Sequence, residues 1–337
     1  MKKLIYVVAV LFVVFGSIAA GHAAETLNGA GATFPYPVYS AWAFEYSKVA
    51  GTQLNYQSIG SGGGIKQIIE RTVHFGASDK PLKPEELAKD KLLQFPAVVG
   101  GVVFVVNIEG VKEGTMKLDG DTACGIFLGD IKKWNDPRIA GMNKELKLPD
   151  ADITVVHRSD GSGTTAIFTD YLNGVCPAWK DRVGSGTSVN WPAGIGGKGN
   201  EGVSNYVIRT ANTIGYVEFA YARQNKMVHT KLKNKAGAFV EPSFESFEDA
   251  AETGTFDPKQ DFFIWLTNAP GKNAWPVAGA TFILLAKEKK DDNLKVVNFF
   301  DWAFRNGDTK AKELIYVPLP KSLKDKIRDY WKANGIL

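Results

Sequence analysis

The stretch FPAVVGGVVFVVN, Phe95 to Asn107, is apolar almost without a break. A strand with one wet face alternates apolar with polar residues. This run does not, so it is predicted to be a strand covered on both faces, with its β-rich part from Val98 to Asn107. Shorter runs of the same kind follow: ITVVHR (Ile153 to Arg158), TIGYVEF (Thr213 to Phe219) and ATFILLA (Ala280 to Ala286). Helical spacing lies between them, at Val38 to Val49, Ile65 to Val73 and Thr164 to Leu172. The alternation implies an α/β fold with helices over largely covered sheets. A second long apolar segment, NAWPVAGATFILLA, spans Asn273 to Ala286. If both long segments cross between lobes, lobe 1 combines residues 25–100 with 275–337, and lobe 2 is the continuous 101–274. The alternative is that both are core strands of consecutive domains, and composition does not choose between the two.

The N-terminus reads as a secretory leader. Lys2 and Lys3 precede the apolar run LIYVVAVLFVVFGSIAA, and GHAAET then offers small residues for cleavage after Ala23 or Ala24. The expectation is a cleaved signal peptide over residues 1–23 and a periplasmic mature protein. No cysteine lies near the cleavage region to take a lipid. Of 40 basic residues, removal of Lys2 and Lys3 leaves 38 against 36 acidic, a net of +2. Such a balance argues against nucleic acid as the partner. Past the leader, no apolar run approaches the roughly 18 residues that span a bilayer. The remaining length, a little over 310 of 337 residues, suggests two lobes.

Two cysteines, Cys124 and Cys176, fall in an oxidising compartment, where either one disulfide or two buried thiols is compatible with the sequence. Cys-x-x-Cys is absent and His74, His157 and His229 are isolated from one another, so no metal site and no cofactor is expected.

Three glycine-rich turns each run into a helix: GAGATFP (Gly29 to Pro35), GSGGGIKQII (Gly60 to Ile69) and RSDGSGTTAIFTDYL (Arg158 to Leu172). A helix start exposes backbone N–H groups and the positive end of a dipole, which attract an anion. One such turn is usually just a cap. Three in one chain, one beside an arginine, point to an oxyanion. VGSGTSVNW (Val183 to Trp191) repeats the Gly-Ser-Gly-Thr pattern without an arginine upstream and reads as a turn. Nucleotide motifs fail: the nearest P-loop match, GGKGNEG, has Gly199 after its lysine, and no G-x-G-x-x-G links a strand to a helix. Ser162 lies outside the G-x-S-x-G elbow of serine hydrolases, and the orientation of His157 toward it is open from sequence alone.

Taken in order, LNGAGATFPYPVYSAWAFEY, YQSIGSGGGIKQII, FGASDKPL, FPAVVGGVVFVVN, LGDIKKWND, VVHRSDGSGTTAIFTDYL, WPAGIGGKGNEGV, TIGYVEFAYA and FFDWAF resemble the periplasmic phosphate-binding proteins of PstS type, along essentially the whole mature chain. The resemblance implies a type II periplasmic-binding fold, with two α/β lobes of mixed sheets flanked by helices and a two-strand hinge. It implies a non-enzymatic receptor that holds inorganic phosphate in the cleft and hands it to the membrane permease of an ABC importer, working as a monomer. By motif, the phosphate-binding residues would be Ala32, Thr33, Phe34, Ser61, Asp79, Arg158, Ser162, Gly163 and Thr164, with Asp160 supporting Arg158. His157 stands where relatives carry a second basic residue, and Gly62 where some carry a second serine. Other tetrahedral oxyanions (sulfate, molybdate, arsenate) and an exported phosphomonoesterase remain as alternative readings.

Overall fold

The computed structural model describes residues 25–337; the leader expected at 1–23 lies outside them. Twelve strands are described: β1 (Thr26–Gly31), β2 (Gln53–Ser58), β3 (Phe75–Ser78), β4 (Leu92–Asn107), β5 (Lys117–Leu118), β6 (Thr154–Arg158), β7 (Ile195–Gly197), β8 (Thr213–Glu218), β9 (Val228–His229), β10 (Lys231–Lys233), β11 (Phe239–Val240) and β12 (Ala278–Ala286). The nine-stranded mixed sheet runs β2-β1-β3-β12-β4-β8-β6-β7, with β9 on β4. Strands β5, β10 and β11 form a small separate sheet.

The expected covered strand begins earlier than its β-branched part, because Leu92 to Pro96 already pair with β12. Of the sixteen residues of β4, all but Asn107 are buried. β12 pairs with Leu92 to Gly101 and β8 with Val102 to Asn107, so partners change at the Gly100-Gly101 pair. That change of partner joins two halves. On one side β1, β2 and β3 lie beyond β12; on the other, β6 and β7 lie beyond β8. Bulk fills the space that the glycines leave: a Cβ on Gly101 would enter the Phe247 ring, and one on Gly100 would meet Phe34. Trp275 Nε1 donates to Val102 O at 2.8 Å and fixes the crossing from the other strand's approach.

Other predicted boundaries moved as well. The second helix occupies Ser61–Ile69 rather than Ile65 to Val73. Arg71 adopts a left-handed φ of 57°, and its guanidinium donates to Ile68 O and Ile69 O, which caps the carbonyl end early. Phe219 leaves β8 to start a helix, Phe219–Gln224, capped by the Glu218 carboxylate accepting from Ala220 N at 2.8 Å. The cysteines pair: Cys124 and Cys176 form a disulfide with Cα atoms 6.4 Å apart, tying the Gly120–Phe127 helix to the end of the Gly163–Val175 helix.

Candidate anion site

All three glycine-rich turns come together near the change of partner on β4. Gly60 has a left-handed φ of 90°, and a Cβ there would strike the Asp160 carboxylate at 2.2 Å. The Ser61–Ile69 helix of one half therefore starts directly against the Arg158–Gly161 turn of the other, and Gly62 N donates across to Gly161 O at 2.7 Å. Gly163, first residue of the Gly163–Val175 helix, packs against Ser61 and Asp79; a Cβ would meet Ser61 Oγ at 2.3 Å and Asp79 N at 2.7 Å. Two helix N-termini thus face one small volume.

Ser162 caps its helix, Oγ accepting from Thr165 N at 2.9 Å, which leaves the N–H groups of Gly163 and Thr164 without an intrahelical acceptor. Arg158 is 3% exposed. Its Nε and Nη2 donate to the two Asp160 oxygens at 2.8 and 2.6 Å, and Nη1 donates to Thr164 Oγ1 at 3.2 Å. Gly199 N adds a donor to Asp160 at 2.9 Å. The guanidinium holds the Asp160 carboxyl below the ordinary carboxylate range against the burial that opposes it. Arg158 remains a cation near neutral pH.

Asp79, at the end of β3, is 1% exposed. Its N–H donates to Ser61 Oγ at 3.1 Å and its Oδ2 accepts from the same hydroxyl at 3.5 Å, while among the described residues Oδ1 has no partner. Burial away from water pushes its carboxyl up to about 7, opposed by the nearby Thr281 hydroxyl, Arg158 and Ser61.

In the first turn, Ala32 is tied into the sheet, while the N–H groups of Thr33 and Phe34 have no acceptor among the described residues. Ala32 N donates to Ala77 O and its carbonyl accepts from Tyr56 Oη, so the one donor expected of it is committed to the sheet. Its part is to anchor the loop. Thr33 Oγ1 accepts from Asn200 Nδ2 at 2.7 Å, across the halves. His157 and Ser162 are not paired: the imidazole stacks on Trp191 with centroids 4.7 Å apart, Nδ1 faces Arg158 O, and burial lowers its pKa. The VGSGTSVNW segment is a turn, as its sequence suggests, and Thr187 O accepts from Ser162 N.

Sequence reasoning missed Asn200, Glu218, Tyr221 and Tyr316. Tyr221 Oη donates to Thr33 O at 2.7 Å, and Tyr316 Oη lies 2.7 Å from Phe34 O and 2.8 Å from Glu218 Oε2. One phenol proton serves one acceptor. Both Tyr316 contacts are satisfied when Glu218 is itself protonated, and burial does push that carboxyl well above its ordinary range. The available signals were the failed P-loop GKGNEG, which supplies Asn200, and an acid at the end of an otherwise apolar strand, which is Glu218.

A PBP superfamily domain matches residues 17–306. A phosphate-binding protein PstS of Pasteurella multocida is 52% identical over 96% of this chain and 95% of its own length. The chain belongs to the PstS family of the PBP superfamily. The family extends to a Methanocaldococcus jannaschii PstS, 36% identical over 87% of this chain and 82% of its own. Among solved structures, a high-affinity periplasmic phosphate-binding protein (PfluDING) bound with phosphate matches with a TM-score of 0.72 at 23% identity, covering 90% of this chain and 93% of that one. A phosphate ABC transporter substrate-binding protein from Clostridium perfringens, with bound phosphate, matches with a TM-score of 0.65 at 20% identity, covering 88% and 100%. At those identities the two structures bear on the fold, which is the two-lobe α/β arrangement of periplasmic binding proteins.

Proposed function

We propose that this chain captures inorganic phosphate between its halves and presents it to the permease of an ABC importer, without making or breaking a bond. One observation carries the reading: the free N–H groups that open the Gly163–Val175 helix and, from the other half, the start of the Ser61–Ile69 helix close on a buried arginine and a buried aspartate with an unused oxygen. Thr33, Phe34, Ser61, Gly163, Thr164 and Arg158 supply donors; Asp79 accepts the remaining P–OH proton; Ser162 sets the helix start and Asp160 fixes the guanidinium. A fully dehydrated phosphate needs this many fixed donors, since a hydrogen bond to a charged group is worth about 1.5–3 kcal/mol. The names of the PstS relatives support the same ligand.

In this reading the lobes are residues 25–100 with 275–337, and 101–274, hinged where β4 and β12 cross. The leader at 1–23 exports the chain to the periplasm, where it acts as a monomer. Calorimetric titration with phosphate, sulfate and arsenate, beside an assay of phosphomonoester turnover, tests the proposal. Micromolar or tighter phosphate binding with no turnover is expected; failure to bind phosphate, or catalytic release of it from the ester, overturns it.

A further inference from the structure

Asn200 touches both halves of the site, and its chemistry fixes what it does there. The residue is fully buried, second in the Gly199–Arg209 helix. Its Oδ1 faces the Glu218 N–H at 2.9 Å, and that group can only donate, so the amide NH2 must face the other way. There Nδ2 lies 2.7 Å from Thr33 Oγ1 and 3.3 Å from Thr164 Oγ1, while Asn200 N lies 3.3 Å from Thr33 Oγ1. Arg158 Nη1, another obligate donor, takes the remaining acceptor position of Thr164 Oγ1.

A hydroxyl has one proton and two acceptor lone pairs. Thr33 Oγ1 accepts from two N–H groups and so does Thr164 Oγ1. Among the described residues, neither hydroxyl donates to a protein acceptor. Each proton is left to point out of the protein network, into the volume where the helix starts converge. We infer that Asn200 is a positioning residue for the anion: it fills the acceptor sides of Thr33 and Thr164 and thereby commits both hydroxyls to donate to the ligand. Thr33 and Asn200 come from opposite halves, so this alignment is complete only when the halves are together. Closure and donor orientation are one event. The inference rests on the anion-seat reading above.

Asn200→Asp reverses the donor pattern and also adds a buried negative charge, and the double-variant background below separates the two effects. The carboxylate keeps an oxygen for the Glu218 N–H but only accepts, so the threonine protons turn toward it and away from the ligand. Phosphate affinity by calorimetry should fall about a hundredfold or more, and circular dichroism checks that the unliganded variant keeps the fold. The same substitution in a Thr33→Val/Thr164→Val background should cost at least tenfold less affinity than in the parent, because the hydroxyls it acts through are gone and only the repulsion of the anion by the new buried charge remains. An unchanged affinity in folded Asn200→Asp, or an equal loss in both backgrounds, overturns the inference. Should Asn200→Asp not fold, Asn200→Ala is measured in the same two backgrounds against the same criterion. Arg158→Ala serves as the separate control. If it leaves phosphate binding intact, the seat itself is misplaced; if it abolishes binding while Asn200→Asp does not, only the role of Asn200 falls.

Discussion

Replacing Asp79 with asparagine should alter how the unliganded protein's stability responds to pH, and by an amount the structure sets. Burial raises this carboxyl from 3.8 to about 7. Between those values the folded state holds a proton that the unfolded chain has released, so stability falls as pH rises. The contribution is fully present below the unfolded value and is lost as pH passes the folded one. A shift of about 3 units at 1.36 kcal/mol per unit makes the loss on the order of 4 kcal/mol between pH 4 and pH 8. Asparagine resembles the neutral acid and cannot ionise. Unfolding in urea, on phosphate-free protein, should therefore show the variant gaining roughly 4 kcal/mol on its parent across that interval. Glu218, also buried, titrates in both proteins and to first order subtracts. Parallel stability curves for parent and variant from pH 4 to 8 would refute the reasoning. The same variant bears on selectivity. An ionised Asp79 only accepts, so it suits phosphate, which keeps a proton, and repels sulfate, which keeps none. The amide N–H should narrow the gap between the two affinities at least tenfold; a variant that rejects sulfate as strongly as its parent places the discrimination elsewhere.

Arg158→Ala should cost about 2–5 kcal/mol of phosphate binding, since it removes the buried cation of the site, and should also lower unfolding stability by leaving Asp160 unpaired; calorimetry reading an unchanged affinity in the folded variant would contradict the site. Opening the Cys124–Cys176 link by a double Cys→Ala change should lower unfolding stability by about 4 kcal/mol, the chain-entropy value for a 52-residue separation; an unchanged urea midpoint would count against it. Gly64→Ala should destabilise by about 2–3 kcal/mol or prevent folding, because its Cβ would meet the backbone at Gly31 Cα (2.5 Å) and Ala30 O (2.6 Å); a melting temperature equal to the parent's would show that the helix moves freely. Small-angle scattering should report a smaller radius of gyration once phosphate is added to ligand-free protein, and no change on saturation would argue against closure around the ligand.

The three turns were legible because glycine, serine and threonine at a helix start carry a local signal; the Arg158–Asp160 pair came only through the resemblance to the phosphate-binding family. The covered strand declared itself through its lack of alternation. Asn200 was not legible: its partners Thr33 and Thr164 lie 167 and 36 positions away, and its own loop resembles a broken nucleotide motif. The resemblance carried Ala32 over with its loop as a phosphate contact, and only the register of β1 beside β3 shows that Ala77 takes its N–H. The early end of the Ser61–Ile69 helix depended on one side chain turning back onto its own carbonyls. The cysteine pairing needed a distance, and spacing along a chain does not contain one.

Strand β4 has a consequence for how this molecule comes apart. Its first ten residues pair with β12 and its last six with β8, so the sheets of the two halves are continuous through one unbroken ribbon. Disordering one half would fray the ribbon where it enters the other. In the hinged reading proposed above, the same shared strand would also couple the halves in unfolding: a joint compliant to rotation, yet cooperative in melting.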